Sequence, residues 1–381
     1  MVKYYIKTFG CQMNTSDSER IAGFLESSNL KLANKIDTAN LVIFNTCGVR
    51  QMAEDRVYGQ IHNLKKASPK VKIILTGCLA DRKDVQRKLK EKVDLFCEIK
   101  DFQKEIVKLL NRHPERSEGS RDSCLPAGTA SATPQNDICY LSIKPEYSNK
   151  TFAFIPVMTG CNNFCAYCVV PYARGREVSR SAKEIFSEVE NLAKKKYKEI
   201  TLLGQNVNSY QFINKNSSAG EAGKFDFPRL LDLLAQKFPQ IKIRFLTSHP
   251  KDFSENLMKV IAENKNISKE IHLPIQSGSD KILKAMNRPY TRKHYLSLIK
   301  KAQKLIPGVS FTTDVIVGFP GETEKDFEDT VKIFKKVGFN EAYINKYSPR
   351  PGTAAFSLGD PISWGEKKNR EKILREIIKK D

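Results

Sequence analysis

Residues Met158-Thr159-Gly160-Cys161-Asn162-Asn163-Phe164-Cys165-Ala166-Tyr167-Cys168 set three cysteines at spacings of four and three, directly after an apolar run at 153–158 that reads as a β-strand. Three thiolates on one loop can hold three irons of a cubane 4Fe–4S cluster, leaving the fourth iron without a protein ligand and open to substrate. A structural zinc site takes four ligands, and no further Cys or His lies nearby in sequence. The alternative is a zinc site completed from elsewhere in the chain. An isolated Cys-x-x-Cys carries little information; three cysteines in this spacing, with the aromatic Tyr167 before the last, carry much more.

Working outward, the strand before this loop is the first of six. The others are expected at 199–203, 242–246, 270–274, 311–317 and 342–347, with amphipathic stretches such as 182–195, 253–264, 292–305 and 324–336 after most of them. Six strand–helix units predict a partial (βα)6 barrel, with the active groups at the carboxyl ends of the strands. Gly204-Gln205-Asn206 follows the second strand, where a glycine lets backbone approach a ligand closely. The fifth ends in Gly318-Phe319-Pro320-Gly321-Glu322. Ordinary turn chemistry is the competing explanation for both. Thr247-Ser248-His249 and His272 also lie near strand ends and receive no role. Residues 365–381 read as a basic helix with Ile373, Leu374, Ile377 and Ile378 on one side.

Upstream, His113-Pro114-Glu115-Arg116-Ser117-Glu118-Gly119-Ser120 opens a stretch rich in Pro, Gly, Ser, Thr and Ala without periodicity, read as a linker or insertion. Before it, strands at 4–8, 41–45, 71–76 and 93–98 alternate with helices such as 17–27 and 49–66, the pattern of a parallel α/β sheet. The expected divisions are an N-terminal α/β domain at 1–111, a linker at 112–145, the partial barrel at 146–363 and a last helix at 364–381.

The chain of 381 residues suits two or three domains at about 150 residues each. Its 40% hydrophobic and 28% charged residues exclude a mostly disordered chain. No run of about 18 apolar residues is present, and the N-terminus is too short and polar for a secretory signal, so a cytoplasmic protein that crosses no membrane is expected. Nine cysteines, an odd number, point away from a disulfide framework and towards metal or catalytic use. With 64 Lys+Arg against 43 Asp+Glu, the net charge of +21 favours a polyanionic partner such as nucleic acid over a merely solvated lysine-rich surface.

A second set of three cysteines stands in the first domain: Phe9-Gly10-Cys11, Asn45-Thr46-Cys47 and Thr76-Gly77-Cys78. Each follows an expected strand, and in a parallel sheet all the carboxyl ends share one edge. The three thiols can therefore converge on a second open cubane, with Gly10 and Gly77 leaving it room. The competing explanation is three separately buried thiols. Cys97, Cys124 and Cys139 lack the pattern and stay unassigned.

The Cys161–Cys168 loop resembles that of the radical S-adenosylmethionine (SAM) superfamily. Two cysteine triads in this order resemble the methylthiotransferases within it. The wording is closest to the branch acting on isopentenyladenosine in tRNA: Gly10-Cys11-Gln12-Met13-Asn14, Asn45-Thr46-Cys47, Thr76-Gly77-Cys78, Val169-Val170-Pro171-Tyr172, Leu203-Gly204-Gln205-Asn206, Thr247-Ser248-His249-Pro250, Met286-Asn287-Arg288 and Tyr347-Ser348-Pro349-Arg350. The resemblance implies two 4Fe–4S clusters and SAM as cofactors. Cys161, Cys165 and Cys168 would hold the SAM-cleaving cluster, and Cys11, Cys47 and Cys78 an auxiliary cluster that supplies or activates sulfur. One SAM would methylate sulfur; a second would yield a 5′-deoxyadenosyl radical that takes hydrogen from adenine C2 of N6-isopentenyladenosine-37. Tyr167, Gly204, Gln205 and Gly318 are candidate SAM contacts. Arg174, Arg176 and Arg180 are candidate contacts to the RNA backbone or to a SAM carboxylate, with solvated surface charge as the other reading.

The implied partners are tRNA, an electron donor such as a flavodoxin or ferredoxin, and a sulfur donor, the protein being a monomer. The two domains would face each other across a shared cavity. Family members usually continue into a small RNA-binding β-barrel, which is expected to be absent here because the sequence ends at Asp381, inside the helix leading to it. Rival readings are a methylthiotransferase acting on threonylcarbamoyl-adenosine tRNA or on a ribosomal-protein aspartate, and a non-catalytic iron–sulfur or zinc protein that binds RNA.

Overall fold

The computed structural model describes residues 2–48, 51–111, 140–213 and 224–379. Cys124, Cys139 and most of the expected linker lie outside the described residues. The chain divides into two compact units, Met1–Ser148 and Asn149–Asp381.

The first unit is built on β1 (Lys3–Phe9), α1 (Gln12–Ser27), β2 (Lys31–Leu32), β3 (Leu41–Thr46), α2 (Gln51–Ala67), β4 (Lys72–Gly77), α3 (Lys83–Leu89), β5 (Leu95–Phe96) and α4 (Phe102–Asn111). The strands form one parallel sheet in the order β2-β1-β3-β4-β5. Every residue of the central β3 is buried, as a strand covered on both faces requires. Its alternating side chains divide between two cores. Val42 and Phe44 join Val57, Ile61 and Leu75 on one face, while Leu41 and Ile43 join Tyr4, Ile21 and Ile106 on the other. Each fully buried side chain of this size contributes about 1.5–3 kcal/mol.

Helix α1 begins at Gln12, five residues before the expected start at 17. Its early turns bury Asn14, Ser16, Asp17, Ser18, Glu19 and Arg20, so no apolar period marks them. Two of these buried charged side chains tie in residues further along the chain: Arg20 donates to Ser16 Oγ (2.8 Å) and Leu141 O (3.2 Å), and Glu19 Oε1 accepts from the hydroxyl (2.6 Å) and backbone N–H (3.0 Å) of Ser148. Residues 140–148 are thereby anchored on α1.

The second unit comprises β6 (Phe152–Pro156), β7 (Met158–Thr159), α5 (Val170–Arg174), β8 (Val178–Ser179), α6 (Ala182–Lys194), β9 (Glu199–Leu203), β10 (Gln211–Ile213), β11 (Lys224–Asp226), α7 (Phe227–Lys237), β12 (Lys242–Leu246), α8 (Glu255–Glu263), β13 (Glu270–His272), α9 (Asp280–Ala285), α10 (Arg292–Leu305), β14 (Ser310–Val317), α11 (Glu324–Val337), β15 (Glu341–Lys346) and α12 (Trp364–Ile378). Six parallel strands form the expected partial barrel as two triplets, β6-β9-β12 and β13-β14-β15. A single parallel bridge, Ile243 with Ile267, joins them. Asn266 holds that seam by donating to the carbonyls of Ala235, Phe238 and Ile241 at 3.1–3.2 Å.

Register aligns the carboxyl ends: Pro156 pairs with Leu203, and Leu203 with Leu246. Helix starts are fixed locally. Ser181, Asp226, Ser254, Ser279, Thr291, Thr323 and Ser363 each accept from a first-turn backbone N–H, a cap worth about 1 kcal/mol.

Helix α12 packs back on the barrel. It buries Leu374 together with two cations, Lys367 and Arg370. Lys367 Nζ donates to Tyr347 O at 2.9 Å and bonds Asp360, while Arg370 Nη1 bonds Glu322 Oε2 at 2.6 Å. Among the described residues no helix is long and apolar enough to cross a membrane.

Candidate functional site

The loop from Cys161 to Cys168 leaves β7 through Gly160, whose φ of +79° suits glycine. A Cβ there would sit 2.0 Å from Arg176 O. The backbone N–H of Cys161 donates to Gly175 O (3.1 Å), and that of Cys168 to Cys165 O (3.0 Å), which curls the loop so that its sulfurs share one neighbourhood. Asn163 Nδ2 donates to Cys161 Sγ at 3.5 Å. Phe164 takes a positive φ of +46° and stacks under the Arg176 guanidinium, 4.4 Å from its ring centre.

Burial raises the thiols of Cys161 and Cys168, the latter to about 12, with the charge of Cys165 adding to both. Such thiols stay protonated until a strongly cationic group takes them as thiolates. Among the described residues no three Cys, His, Asp or Glu side chains meet closely enough to share one metal ion. Three free thiols on one short loop are the donor set of an open cubane, whose ligands sit on separate irons. The residues fit a 4Fe–4S cluster.

Beside this loop, at the ends of β9 and β12, four buried polar atoms lack a hydrogen-bond partner: Gln205 Oε1, Asn206 Oδ1, Asn208 Nδ2 and His249 Nε2. Each costs about 1–3 kcal/mol while unsatisfied. Thr247, between them, is a β-branched residue held at φ +73°, a strain that protein structures keep at functional sites. A polar ligand would satisfy these atoms, and SAM, with its amino, carboxylate and ribose groups, has the chemistry to do so. The His249 ring meets Tyr290 edge-on at 5.6 Å. Burial, with Arg288 and Lys251, lowers its pKa to about 2, so it is neutral.

Of the expected SAM contacts, Gln205 has an open acceptor here and Tyr167 is half-buried against Met286, Phe319 and Tyr347. Burial holds the Tyr167 hydroxyl well above its ordinary range, with Arg288 opposing. Gly204 is required by packing, since a Cβ would lie 2.7 Å from Met158 Cγ. Gly318 is likewise explained without a cofactor. Its φ is +75°, a Cβ would lie 2.4 Å from Lys367 Cγ, and its N–H is taken by Glu322 Oε2 at 2.6 Å.

The expected RNA contact at Arg180 is corrected. Arg180 is buried, donating to Pro156 O (2.9 Å) and Glu188 Oε2 (2.7 Å), and holds β6 to α6. Arg174 is partly buried, and only Arg176 of the three is exposed.

The first unit places its three cysteines on one sheet edge. Registers Phe9–Thr46 and Thr46–Gly77 set the ends of β1, β3 and β4 side by side, one residue before Cys47 and Cys78 and two before Cys11. The N–H of Cys78 donates to Thr46 O at 2.8 Å. Gly77, at φ +85°, permits the turn; a Cβ there would meet Thr46 O at 2.4 Å. Cys11 caps α1, and a negative sulfur at a helix N-terminus is favoured by the helix dipole. Asn14, quoted in sequence only as part of the motif that opens at Gly10, ties the edge together. Its Oδ1 accepts the N–H of Cys11 (3.3 Å) and its Nδ2 donates to Asn45 Oδ1 (3.0 Å) and Thr46 O (3.2 Å).

Cys97 follows β5 on the same edge but differs in surroundings. It is buried, burial pushes its thiol up to about 12, and it lines a cleft of about 310 Å³ with Asp81, Glu98, Asp101 and Glu105. Acidic neighbours oppose a thiolate there.

Residues 155–334 match the Radical SAM superfamily, and residues 3–98 match uncharacterized protein family UPF0004. Among curated relatives, a tRNA-2-methylthio-N(6)-dimethylallyladenosine synthase of Syntrophomonas wolfei is 44% identical over 382 residues, covering 97% of this chain and 80% of the relative. Proteins of the same name from Dictyoglomus thermophilum and Clostridium novyi are 43% and 40% identical, covering 99% of this chain and 84% and 81% of theirs. Among solved structures, the radical S-adenosylmethionine methyltransferase TsrM from Kitasatospora setae, with cobalamin and a [4Fe-4S] cluster bound, superposes with a TM-score of 0.61 at 13% identity. That superposition covers 93% of this chain and 77% of TsrM, a likeness of fold. The chain belongs to the family of tRNA-2-methylthio-N(6)-dimethylallyladenosine synthases, within the radical SAM superfamily.

Proposed function

We propose that this protein converts N6-isopentenyladenosine at position 37 of tRNA to its 2-methylthio derivative. The observation that carries the reading is the pair of cysteine triads, one at the carboxyl edge of the parallel first sheet and one on the loop that leaves β7, in a chain whose relatives bear the name of that enzyme. When bound, a 4Fe–4S cluster with SAM supplies one-electron cleavage of the sulfonium, and the second cluster supplies sulfur, chemistry that side chains lack.

The chain's own residues divide the work. Cys161, Cys165 and Cys168 hold the SAM-cleaving cluster on a loop fixed by Gly160 and Phe164. Gln205, with the open polar atoms of Asn206, Asn208 and His249, receives polar groups of SAM, and Tyr167 packs beside the thiols. Cys11, Cys47 and Cys78 hold the auxiliary cluster on an edge tied by Asn14. Exposed Arg176 and the surplus of Lys and Arg attract the RNA backbone. Electrons come from a small one-electron carrier such as a flavodoxin or ferredoxin, and sulfur from a separate donor. The protein acts as a monomer in the cytoplasm, with the auxiliary cluster in the N-terminal domain and SAM cleavage in the barrel.

The test is expression in a host that lacks the modification, followed by mass spectrometry of tRNA nucleosides. Appearance of 2-methylthio-isopentenyladenosine is expected. Unchanged isopentenyladenosine, with the protein present and both clusters loaded, contradicts the assignment.

A further inference from the structure

Three consecutive residues outside the cysteine loop grip it from below. Met286 O accepts the N–H of Ala166 at 3.0 Å. Asn287, held at φ +56°, donates Nδ2 to Phe164 O at 2.9 Å, bonding the loop where its own backbone turns to positive φ. Arg288 reaches the sulfur itself, with Nη1 3.3 Å from Cys165 Sγ.

The surroundings of Arg288 are unusual for a cation. It is buried, with 8% of its surface exposed. Its Nε donates to the Tyr290 hydroxyl (2.8 Å) and its Nη2 to Pro274 O (3.2 Å). Tyr290 in turn donates to Ile275 O at 2.9 Å, so the guanidinium is braced against the segment after β13. Among the described residues no carboxylate bonds it; the groups facing its charge include Tyr167, Tyr290, Cys165, Cys168 and His249. A buried cation without a carboxylate needs an anion elsewhere. The sulfur of Cys165, to which it is hydrogen-bonded, would supply that charge as a cluster ligand.

We propose that Arg288 is a positioning residue of the SAM-cleaving centre: it orients Cys165 and, by its buried charge, raises the potential at which the cluster on Cys161, Cys165 and Cys168 accepts an electron. The inference rests on reading that loop as a cluster site. One-electron reduction adds one negative charge to the cluster, the electron coming from an external one-electron donor. A fixed cation hydrogen-bonded to a ligating sulfur favours the more negative, reduced form, and such bonds tune iron–sulfur potentials. Met286 and Asn287 hold the loop at the height that Arg288 requires.

The experiment is a redox titration, followed by electron paramagnetic resonance, of the full chain reconstituted without oxygen and reduced with dithionite. The signal that changes on adding SAM marks the centre in question. Arg288→Gln keeps a hydrogen-bond donor and removes the charge; Arg288→Lys keeps the charge and loses the planar fork. The glutamine variant is expected to lower the midpoint by at least about 59 mV, a tenfold loss in the one-electron equilibrium, at unchanged iron content, while the lysine variant stays near the parent. Equal midpoints in all three proteins, an equal fall in both variants, or equal loss of iron from both overturns the inference. Absence of any SAM-sensitive signal in the parent contradicts the cluster assignment itself.

Discussion

Asn14 and Asn45 hydrogen-bond each other in both directions: Asn14 Nδ2 donates to Asn45 Oδ1 at 3.0 Å and Asn45 Nδ2 to Asn14 O at 2.8 Å. Both side chains are buried, and Asn14 also accepts the backbone N–H of Cys11. The pair thus fixes the start of α1, carrying Cys11, against the end of β3, carrying Cys47. Asn14→Ala leaves the buried amide of Asn45 short of a partner, at about 1–3 kcal/mol. Iron per chain after anaerobic reconstitution is expected to fall by about half, towards the four irons of one cubane, with SAM cleavage retained.

The turn at Gly160 admits no side chain. Gly160→Ala places a Cβ 2.0 Å from Arg176 O at a φ of +79°, so the cysteine loop must shift. Loss of the SAM-cleaving cluster is expected while the auxiliary one remains, read as deoxyadenosine release falling to background with about half the iron still bound.

Helix α12 docks through an ion pair more than through its apolar stripe. Arg370 Nη1 and Glu322 Oε2 lie 2.6 Å apart, both side chains buried. Burial raises the pKa of Glu322, with Gly318 and Arg370 opposing. Arg370→Met strands that carboxyl and is expected to cost about 3–5 kcal/mol. Adding Glu322→Gln should recover part of the loss. Thermal unfolding of the three variants checks the order.

His249 gives the second unit a pH dependence. Its folded pKa of about 2 lies below the model-compound value of 6.5 because burial disfavours the charged ring. The unfolded chain therefore binds a proton that the folded one refuses. The stability is present in full above about pH 6.5 and falls as the pH drops towards 2, by up to about 1.4 kcal/mol per unit. Denaturation between pH 6.5 and 5 should show a shallower slope in His249→Gln than in the parent. Identical slopes contradict the assignment of a neutral buried ring.

The α/β class, the six barrel strands and the parallel character of the first sheet were legible because alternating apolar runs and amphipathic stretches are local signals. Strand 199–203 and helix 292–305 coincide with β9 and α10. The first turns of α1 were hidden because polar residues fill their buried face. Asn14 and Arg288 were legible only as members of motifs that carry the resemblance; what they do lies in partners 31 and 123 residues away, and no periodicity encodes such contacts. Arg180 misled because a basic residue after the cluster loop looks the same in sequence whether it meets RNA or Glu188. At Gly318 the packing reason for a glycine was hidden from the sequence, because Lys367, which fills its open side, sits on the last helix.

The central claim is that the two cysteine triads hold two clusters with separate tasks. It is tested most directly by assaying Cys47→Ala and Cys165→Ala together, each reconstituted without oxygen, for SAM cleavage and for methylthio product on isopentenylated tRNA. The account predicts cleavage without product from Cys47→Ala and neither from Cys165→Ala. Full methylthio product from Cys47→Ala, or cleavage surviving in Cys165→Ala, would contradict it.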